Sequence, residues 1–496
     1  MTLSEVLAGV PLRSELPAPL ARTAVAGLEY DSRRVQQGFL FFAFPGAHVD
    51  GREFARQAAD KGAVAVVSEL SAPAGVNIPW LEVTHGRHAL ALASKTFYGA
   101  IDGQLCLTGI TGTNGKTTTS YLIDSILRAA GKTTLVAGTI GYRIGAKVLP
   151  APNTTPESLD LHRMLTELAE MGGTHATMEI SSHALALGRV YGLHFHTAVF
   201  TNLTRDHLDF HGSMEAYFAA KKLLFDGSGA PPPKYAVVNR DDEWGRQIAG
   251  KSSEVFWYGL GTDAMLRARH ISSGLNGLRF EVAFEKLRFE VRSPMLGRIN
   301  VYNILAACGA GLTYQLGADV IARGIGECQG VPGRFERVDE GQPFAVIVDY
   351  SHTDDALRNA ITAARSLDAK RVITLFGCGG DRDRTKRPLM GQVAGQLSDL
   401  VILTSDNPRS EEPLLIMNDV LVGLRRTDTR TIVEPDRAIA IRKAIEEAHA
   451  GDVVILAGKG HETYQIFRDR TVHFDDREVA REILQSFGFT RTAGGR

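Results

Sequence analysis

The stretch Leu107-Thr-Gly-Ile-Thr-Gly-Thr-Asn-Gly-Lys-Thr-Thr-Thr119 constrains this chain more than any other. An apolar run, Leu105 to Leu107, leads into it and reads as a buried strand. Ser120 to Ala130 follows, with Leu122, Ile123, Ile126 and Leu127 at helical spacing. Strand, glycine-rich loop and helix in that order make a nucleotide-phosphate site. Glycines let backbone N–H groups converge on phosphate oxygens, and the helix N-terminus adds partial positive charge. On that reading Lys116 reaches the β- and γ-phosphates and Thr117 holds Mg²⁺. The general pattern G-x-x-x-x-G-K-[ST] asks for glycine where this chain has Ile110; the match is the shorter Gly112-Thr113-Asn114-Gly115-Lys116-Thr117. A flexible loop tip with a stray lysine is the bland alternative, and the strand and helix on either side weigh against it.

The 496 residues suggest about three domains. With 44% hydrophobic and 22% charged residues the composition is that of an ordinary globular protein. A net charge of −1 argues against a general polyanion surface, so no nucleic-acid partner is expected. Cys106, Cys308, Cys328 and Cys378 are scattered without a C-x-x-C, as structural thiols in a reducing compartment would be. Met1 to Val10 lacks a basic leader, and no apolar run approaches about 18 residues, so a cytoplasmic protein without membrane insertion is expected.

Residues 1–98 alternate short apolar runs with turn signals and read as a small α/β domain. Phe39 to Phe44 and Ala63 to Val67 are strand-like, and Glu53 to Lys61 is helical. Asp31-Ser32-Arg33 is either an anion-binding turn or a capped surface turn. Residues 99–334 carry the phosphate loop and then polar clusters at the ends of apolar runs, where open α/β sheets bind ligands. Asn153-Thr-Thr-Pro156 is a turn. Glu179 and His183 end the strand of Thr177-Met-Glu-Ile-Ser-Ser-His183, and Thr204 to Gly212 follows the strand Ala198 to Leu203. A hard Mg²⁺ takes oxygen ligands and lets phosphates complete its shell, which Thr117 and Glu179 suit; His207 is a candidate because it shares their sheet edge. Tyr217 to Phe225 is an amphipathic helix in which Lys221 lies beside the apolar stripe, where a lysine ordinarily snorkels to solvent. Residues 266–294 alternate like a β-hairpin, Gly297 to Asn303 opens a small-residue helix from Ile304 to Gly311, and Gly330-Val-Pro-Gly333 punctuates a hinge.

Residues 335–496 repeat strand–helix alternation, with short apolar strands at 344–349, 371–376, 400–403, 431–433 and 452–457. A parallel sheet covered on both faces, a Rossmann-like domain, is predicted. No G-x-G-x-x-G is present, which argues against NAD. The strand-end loops are Asp349-Tyr-Ser-His352, Gly377 to Arg387, Asp406-Asn-Pro-Arg409 and Gly458-Lys-Gly-His-Glu462.

Taken together, Gly112 to Thr118, Met178 to His183, Thr201 to Asp209, Ala220 to Phe225, Asn300 to Asn303, Pro332 to Arg334 and Asp349 to His352 resemble the Mur ligases, ATP-dependent amide-bond ligases of peptidoglycan precursor synthesis. The order runs over essentially the whole chain. Asp31 to Arg33, Asn153 to Pro156 and Asp406 to Arg409 are similar to the MurE branch, which adds the third amino acid. The resemblance implies three α/β domains: UDP-binding, P-loop ATPase and Rossmann-like. It implies Thr117, Glu179 and His207 as ligands of Mg²⁺, two ions in all, with Lys221 as a CO₂-derived carbamate holding the second. Gly112, Thr113, Asn114, Gly115, Lys116, Thr117, Thr118, Asn300, Asn303, Arg334, Asp349 and His352 would address ATP. Ser32 and Arg33 would meet the uridine diphosphate, and Asn153, Thr154, Thr155, Ser182 and Arg189 the muramoyl-peptide. Arg387, Asp406, Asn407, Arg409, Gly458 and Glu462 would form the amino-acid pocket.

The implied reaction joins meso-diaminopimelate to UDP-MurNAc-L-Ala-D-Glu through an acyl phosphate, in a monomeric enzyme. Diaminopimelate differs from lysine by a second α-carboxylate, and a guanidinium such as that of Arg409 binds a carboxylate through two parallel hydrogen bonds. Glu462 suits an ammonium group. Lysine addition, a folylpolyglutamate-type ligase and a non-catalytic precursor-binding scaffold are the rival readings. The chain departs from the family at Ser351 and Asp354, where alanine and proline are usual, at Leu187 in place of a common glutamine, and at Gly51-Arg-Glu-Phe54.

Overall fold

The computed structural model describes residues 1–46, 49–250, 252 and 254–490. A four-stranded parallel sheet forms first, in the order Gly27–Glu29, Phe39–Phe42, Ala65–Ser68, Trp80–Glu82. The helix read over 53–61 is α-helical from Ala55 to Asp60. Gly51–Phe54 before it is a 3₁₀ turn, because Asp50 caps it by accepting a hydrogen bond from Arg52 N.

An eleven-stranded sheet follows. Its middle strands run parallel in the spatial order Glu254–Gly259, Tyr235–Asn239, Thr197–Phe200, Cys106–Thr111, His175–Glu179, Thr134–Ala137. The phosphate-loop strand is longer than Leu105 to Leu107 and runs to Thr111. Ile110 is therefore still a fully buried strand residue, packed with Leu122, Ile123 and Ile126, and the loop starts only at Gly112. That is the physical reason for an isoleucine where the longer pattern has glycine. The helix begins at Lys116 rather than Ser120. Thr117 to Ser120 are buried although polar, so apolar periodicity does not register its first turn. Ile110 pairs with Glu179 and Thr111 with Phe200. That register sets the ends of three strands level and makes the phosphate loop, Ile180 to Ser182 and Thr201 to His207 emerge side by side. Residues 266–294 form three antiparallel strands, Leu266–Gly274, Gly277–Phe284 and Leu287–Ser293, rather than one hairpin. The small-residue helix spans Ile299–Thr313, so Asn300 and Asn303 lie within it.

The last sheet has six strands in the order Glu336–Val338, Ala345–Asp349, Val453–Ala457, Val372–Phe376, Leu400–Leu403, Arg430–Val433. All pair in parallel except the edge strand Glu336–Val338, which is antiparallel and was absent from the parallel pattern predicted. Apolar clusters cover both faces, and each fully buried Ile or Leu, such as Ile347 and Leu456, contributes roughly 1.5–3 kcal/mol. Asp349 pairs with Ala457 and Phe376 with Leu403, so the loops that follow share one edge. A small hairpin, Tyr464–Ile466 with Thr471–His473, sits beyond it.

Candidate active site

A cavity of about 290 Å³ lies where the carboxyl edge of the eleven-stranded sheet meets the loop after Asp349. Its wall includes Thr113 to Thr118, Glu179, His207, Asn300, Asn303, Arg334, Asp349 and His352. The phosphate loop is held ready. Lys116 Nζ donates to Gly112 O (2.8 Å) and Thr113 O (2.9 Å), and burial lowers its pKa. Gly115 has φ +86°, and a Cβ there would strike Asn303 Oδ1. Asn303 in turn donates to Asn300 Oδ1 (2.8 Å), and Asn300 to Leu296 O (2.8 Å).

Thr117 Oγ1 donates to Glu179 Oε2 (3.0 Å), and Arg334 Nη2 approaches Thr117 Oγ1 at 3.3 Å. Thr139, which nothing in the sequence singled out, donates to both oxygens of Glu179, through its N–H (2.9 Å) and its hydroxyl (3.1 Å). Thr117 and Glu179 thus present adjacent oxygen donors to the cavity, a set suited to Mg²⁺ completed by phosphate oxygens. Among the described residues no group of three His, Cys, Asp or Glu side chains converges as a metal cluster. His207 lines the same cavity, at φ +53°, and its ring lies 3.3 Å from Asp206 Oδ2; burial lowers its pKa. His183, expected at a strand end, lies in the short helix Ser182–Ala186 and packs edge-on against His207.

Lys221 does not snorkel. It is 1% exposed, donates to Gly112 O (2.9 Å) and lies 4.5 Å from the Tyr217 ring centroid. Its helix, Met214–Asp226, packs against the phosphate-loop strand and the helix Ser182–Ala186. Burial, with Lys116 beside it, holds the Lys221 amine well below the usual lysine range.

Arg334 stacks on Tyr350 at 4.6 Å. Asp349 accepts from Phe335 N (2.7 Å) and from Ser351 Oγ, and burial raises its carboxyl pKa. The usual alanine is replaced by a serine that binds its own motif aspartate. His352 is half-buried, its Nδ1 lies 2.9 Å from Tyr350 O, and desolvation lowers its pKa. Asp355 joins the two walls: Asn114 Nδ2 (3.1 Å) and Thr204 Oγ1 (2.9 Å) both donate to its Oδ2. Its only sequence signal was its place beside the Asp349 to His352 motif.

The residues expected to meet the UDP-precursor divide into two groups. Thr155 Oγ1 donates to Glu179 O (2.8 Å) and accepts from Ser181 N (3.1 Å), and Thr154 meets the Thr139 hydroxyl (3.2 Å); the 153–156 turn is therefore tied to the Glu179 edge. The Asn153 carbonyl accepts from Tyr142. Ser182 Oγ lies 2.9 Å from His211 Nε2. Arg189 donates to Thr155 O (3.0 Å) and pairs with buried Glu157 (3.0 Å), a partner not foreseen. Ser32 and Arg33 lie apart, on the first sheet's edge, and do not line the cavity. Ser32 is buried and donates to Gln57 (2.6 Å); the Arg33 side chain is 81% exposed and paired with Asp31.

The third group gathers on the last sheet's carboxyl edge. Asn407 Nδ2 donates to Glu462 Oε2 (2.8 Å), and Arg409, at φ +52° in a turn rather than a helix, donates from Nη1 to Gly380 O (2.8 Å). Gly458 has φ +110°, and a Cβ there would sit 2.7 Å from Asp406 Oδ2. Burial and the neighbouring Asp406 raise the Glu462 pKa. Underneath, Arg437 and Asp476 form an ion pair with no side-chain exposure, and Arg437 also donates to Ser405 O (3.2 Å) and Ala457 O (3.0 Å), clamping the starts of both strand-end loops. Arg387 does not join this group as an available cation. It is fully buried, and Glu411 (2.7 Å), Asp419 (3.0 Å) and Gly379 O (3.2 Å) already balance it. Sequence spacing cannot reveal those carboxylates, which lie on the next loop and helix.

The comparisons with known proteins agree with this arrangement. Residues 24–98 match the Mur ligase family catalytic domain, 110–311 the Mur ligase middle domain, and 333–460 the Mur ligase glutamate ligase domain. A protein of Solibacter usitatus (strain Ellin6076) named UDP-N-acetylmuramoyl-L-alanyl-D-glutamate–2,6-diaminopimelate ligase is 63% identical over 493 residues, 99% of this chain and 100% of its own. One of the same name from Geobacillus thermodenitrificans (strain NG80-2) is 46% identical, covering 93% of this chain and 95% of its own. A solved structure of a ligase of that name superposes with a TM-score of 0.71 at 33% identity, covering 99% of this chain and 100% of that one. With full-length relatives at these identities and all three domain types matched in order, the chain belongs to the Mur ligase family.

Proposed function

We propose that this chain is the ligase that joins meso-diaminopimelate to UDP-N-acetylmuramoyl-L-alanyl-D-glutamate at the expense of ATP, giving the tripeptide precursor of peptidoglycan. The observation that carries this reading is the single cavity in which the phosphate loop, the Thr117–Glu179 oxygen pair and Arg334 face the Asp349–His352 loop. ATP lies with its phosphates against Gly112 to Thr118, and Asn300, Asn303, Arg334, Asp349 and His352 surround the remainder. The γ-carboxylate of the D-glutamyl residue attacks the γ-phosphorus, the bond to the bridging oxygen of the β-phosphate breaks, and ADP leaves, giving an acyl phosphate. The amine of diaminopimelate then attacks the acyl carbon, and phosphate leaves. Each step brings anions together or spreads negative charge, so catalysis rests on positioning and neutralisation. Lys116 moves from its own loop carbonyls onto phosphate oxygens. Arg334, braced on Tyr350, stays near Thr117. Thr117, Glu179 and His207 would hold Mg²⁺, which would supply further neutralising charge.

Lys221 fits a carbamate role because it is buried with no carboxylate within 4.0 Å among the described residues, and it shares the Gly112 carbonyl with Lys116. A carbamate there gives a second Mg²⁺ an anionic ligand. Ser32, Arg33, Asn153, Thr154, Thr155, Ser182 and Arg189 take the nucleotide-sugar peptide. Asp406, Asn407, Arg409, Gly458 and Glu462 take the amino acid, while Arg387 supports the Gly379 turn. Closure about residues 330–333 brings the two halves together and excludes water. One chain supplies every role, so a monomer suffices, and the nucleotide substrates imply a cytoplasmic reaction.

The test is phosphate release with each substrate omitted in turn and with L-lysine in place of diaminopimelate. Release that needs all three substrates, together with a tripeptide product by mass spectrometry, is expected. Equal rates with lysine would refute the selectivity assignment. Release independent of the UDP-dipeptide would refute the function.

A further inference from the structure

Lys459 lies in a strand-end loop of the amino-acid pocket, and the reaction above leaves it without a role. It lies between Gly458 and Gly460 and has no exposure. Its ammonium donates to Glu462 Oε2 (3.3 Å), to Asn407 Oδ1 (3.3 Å) and to the Tyr464 carbonyl, so each of its three protons finds an acceptor. Glu462 is its carboxylate partner. The same two side chains are bonded to each other, Asn407 Nδ2 to Glu462 Oε2 at 2.8 Å, and Ile466 N donates to Asn407 Oδ1 (3.0 Å). Lys459 therefore sits at the centre of a closed network whose other members are pocket residues or the strand seated on them.

We infer that Lys459 is a positioning residue for amino-acid recognition, holding the Glu462 carboxylate and the Asn407 amide in the one arrangement that receives the ammonium group of the incoming amino acid. This deepens the reading of the pocket given above and rests on it. A buried lysine is costly to keep and is retained only with its partners in place. Its removal has two consequences. Glu462 Oε2 loses the donor that keeps the side chain from swinging, and Asn407 Oδ1 loses one of its two donors. Glu462 is also left beside Asp406 without the cation bonded to it, a setting that favours its neutral form, which attracts an ammonium poorly.

The experiment is steady-state phosphate release by the full chain carrying Lys459→Met, with each substrate varied in turn. The KM for diaminopimelate is expected to rise roughly tenfold or more, while those for ATP and the UDP-dipeptide stay within about twofold. Lys459→Gln, which keeps an amide donor, recovers part of the loss; it also serves if the methionine variant does not fold. The double variant Lys459→Met/Glu462→Gln loses less than the sum of the two single losses, since both changes act in part through Glu462. An unchanged KM for diaminopimelate, a parallel rise in all three, or additive effects in the double variant would overturn the inference. Glu462→Gln separates the two levels. If it leaves the KM for diaminopimelate unchanged, the pocket reading itself fails. If it raises that KM while Lys459→Met does not, only the role of Lys459 fails.

Discussion

Replacing Arg409 is expected to change which amino acid the enzyme prefers. The guanidinium is placed in advance: the residue occupies a left-handed turn at φ +52°, its N–H donates to Ile466 O (3.0 Å), and its Nη1 donates to Gly380 O (2.8 Å). With one nitrogen anchored, the rest of the fork is oriented before the ligand arrives, and little side-chain entropy remains to be lost. Two charge-assisted hydrogen bonds to the distal carboxylate of diaminopimelate, less the carboxylate's desolvation, are worth about 3–4 kcal/mol. Arg409→Ala should therefore lower kcat/KM for diaminopimelate by roughly 10²–10³. L-Lysine has no such carboxylate, so its kcat/KM should move less than about fivefold. Arg409→Lys keeps the charge but not the fork, and should fall between, roughly 10–30-fold down. The assay is phosphate release with each amino acid over a wide concentration range, with product identified by mass. An equal loss with both amino acids would mean that Arg409 shapes the loop rather than reading the carboxylate. No loss with diaminopimelate would remove it from the pocket.

Lys221→Ala should abolish turnover and regain part of it with millimolar formate or acetate, which can supply an anionic oxygen in the vacated space; full activity without them would sink the carbamate. Arg437→Met leaves Asp476 buried without its partner and two strand-end carbonyls without donors, and should cost about 3–5 kcal/mol in thermal or urea unfolding, much of it recovered by Arg437→Met/Asp476→Leu. Burial lowers the His162 imidazole to about 4, and neither of its ring nitrogens has a hydrogen-bond partner among the described residues. The unfolded chain, titrating near ~6.5, takes up that proton first as pH falls, so the stability of the neutral ring is fully present above ~6.5 and is lost toward pH ~4. His162→Phe should flatten the dependence of the urea midpoint on pH between 4 and 7 by about one proton; an unchanged slope would show that other groups carry it.

Much of this protein was determined by short-range sequence pattern. Apolar periodicity and glycine placement revealed the strand, loop and helix around Lys116, because those preferences depend on near neighbours along the chain. The strand-end clusters holding Glu179, His207, Asp349, Asp406 and Glu462 were legible for the same reason, since a polar run ending an apolar one marks the edge of a sheet. What pattern could not decide was which of these groups meet and what charge each has left. Thr117 and Glu179 are 62 residues apart, and Asn114 and Asp355 are 241 apart; only the parallel register of Ile110 with Glu179 and the docking of the last domain bring them together. The same holds for burial. By periodicity alone Lys221 read as a snorkelling lysine, and the resemblance placed Arg387 in the amino-acid pocket, yet one is enclosed beneath the phosphate loop and the other is neutralised by Glu411 and Asp419. Charge in a protein is governed by the solvent and partners that folding takes away or supplies, and those come from distant parts of the chain. The tertiary structure therefore decided the electrostatics of these strand-end loops: a buried Lys221, a committed Arg387, and a Lys459 bound to Asn407 and Glu462.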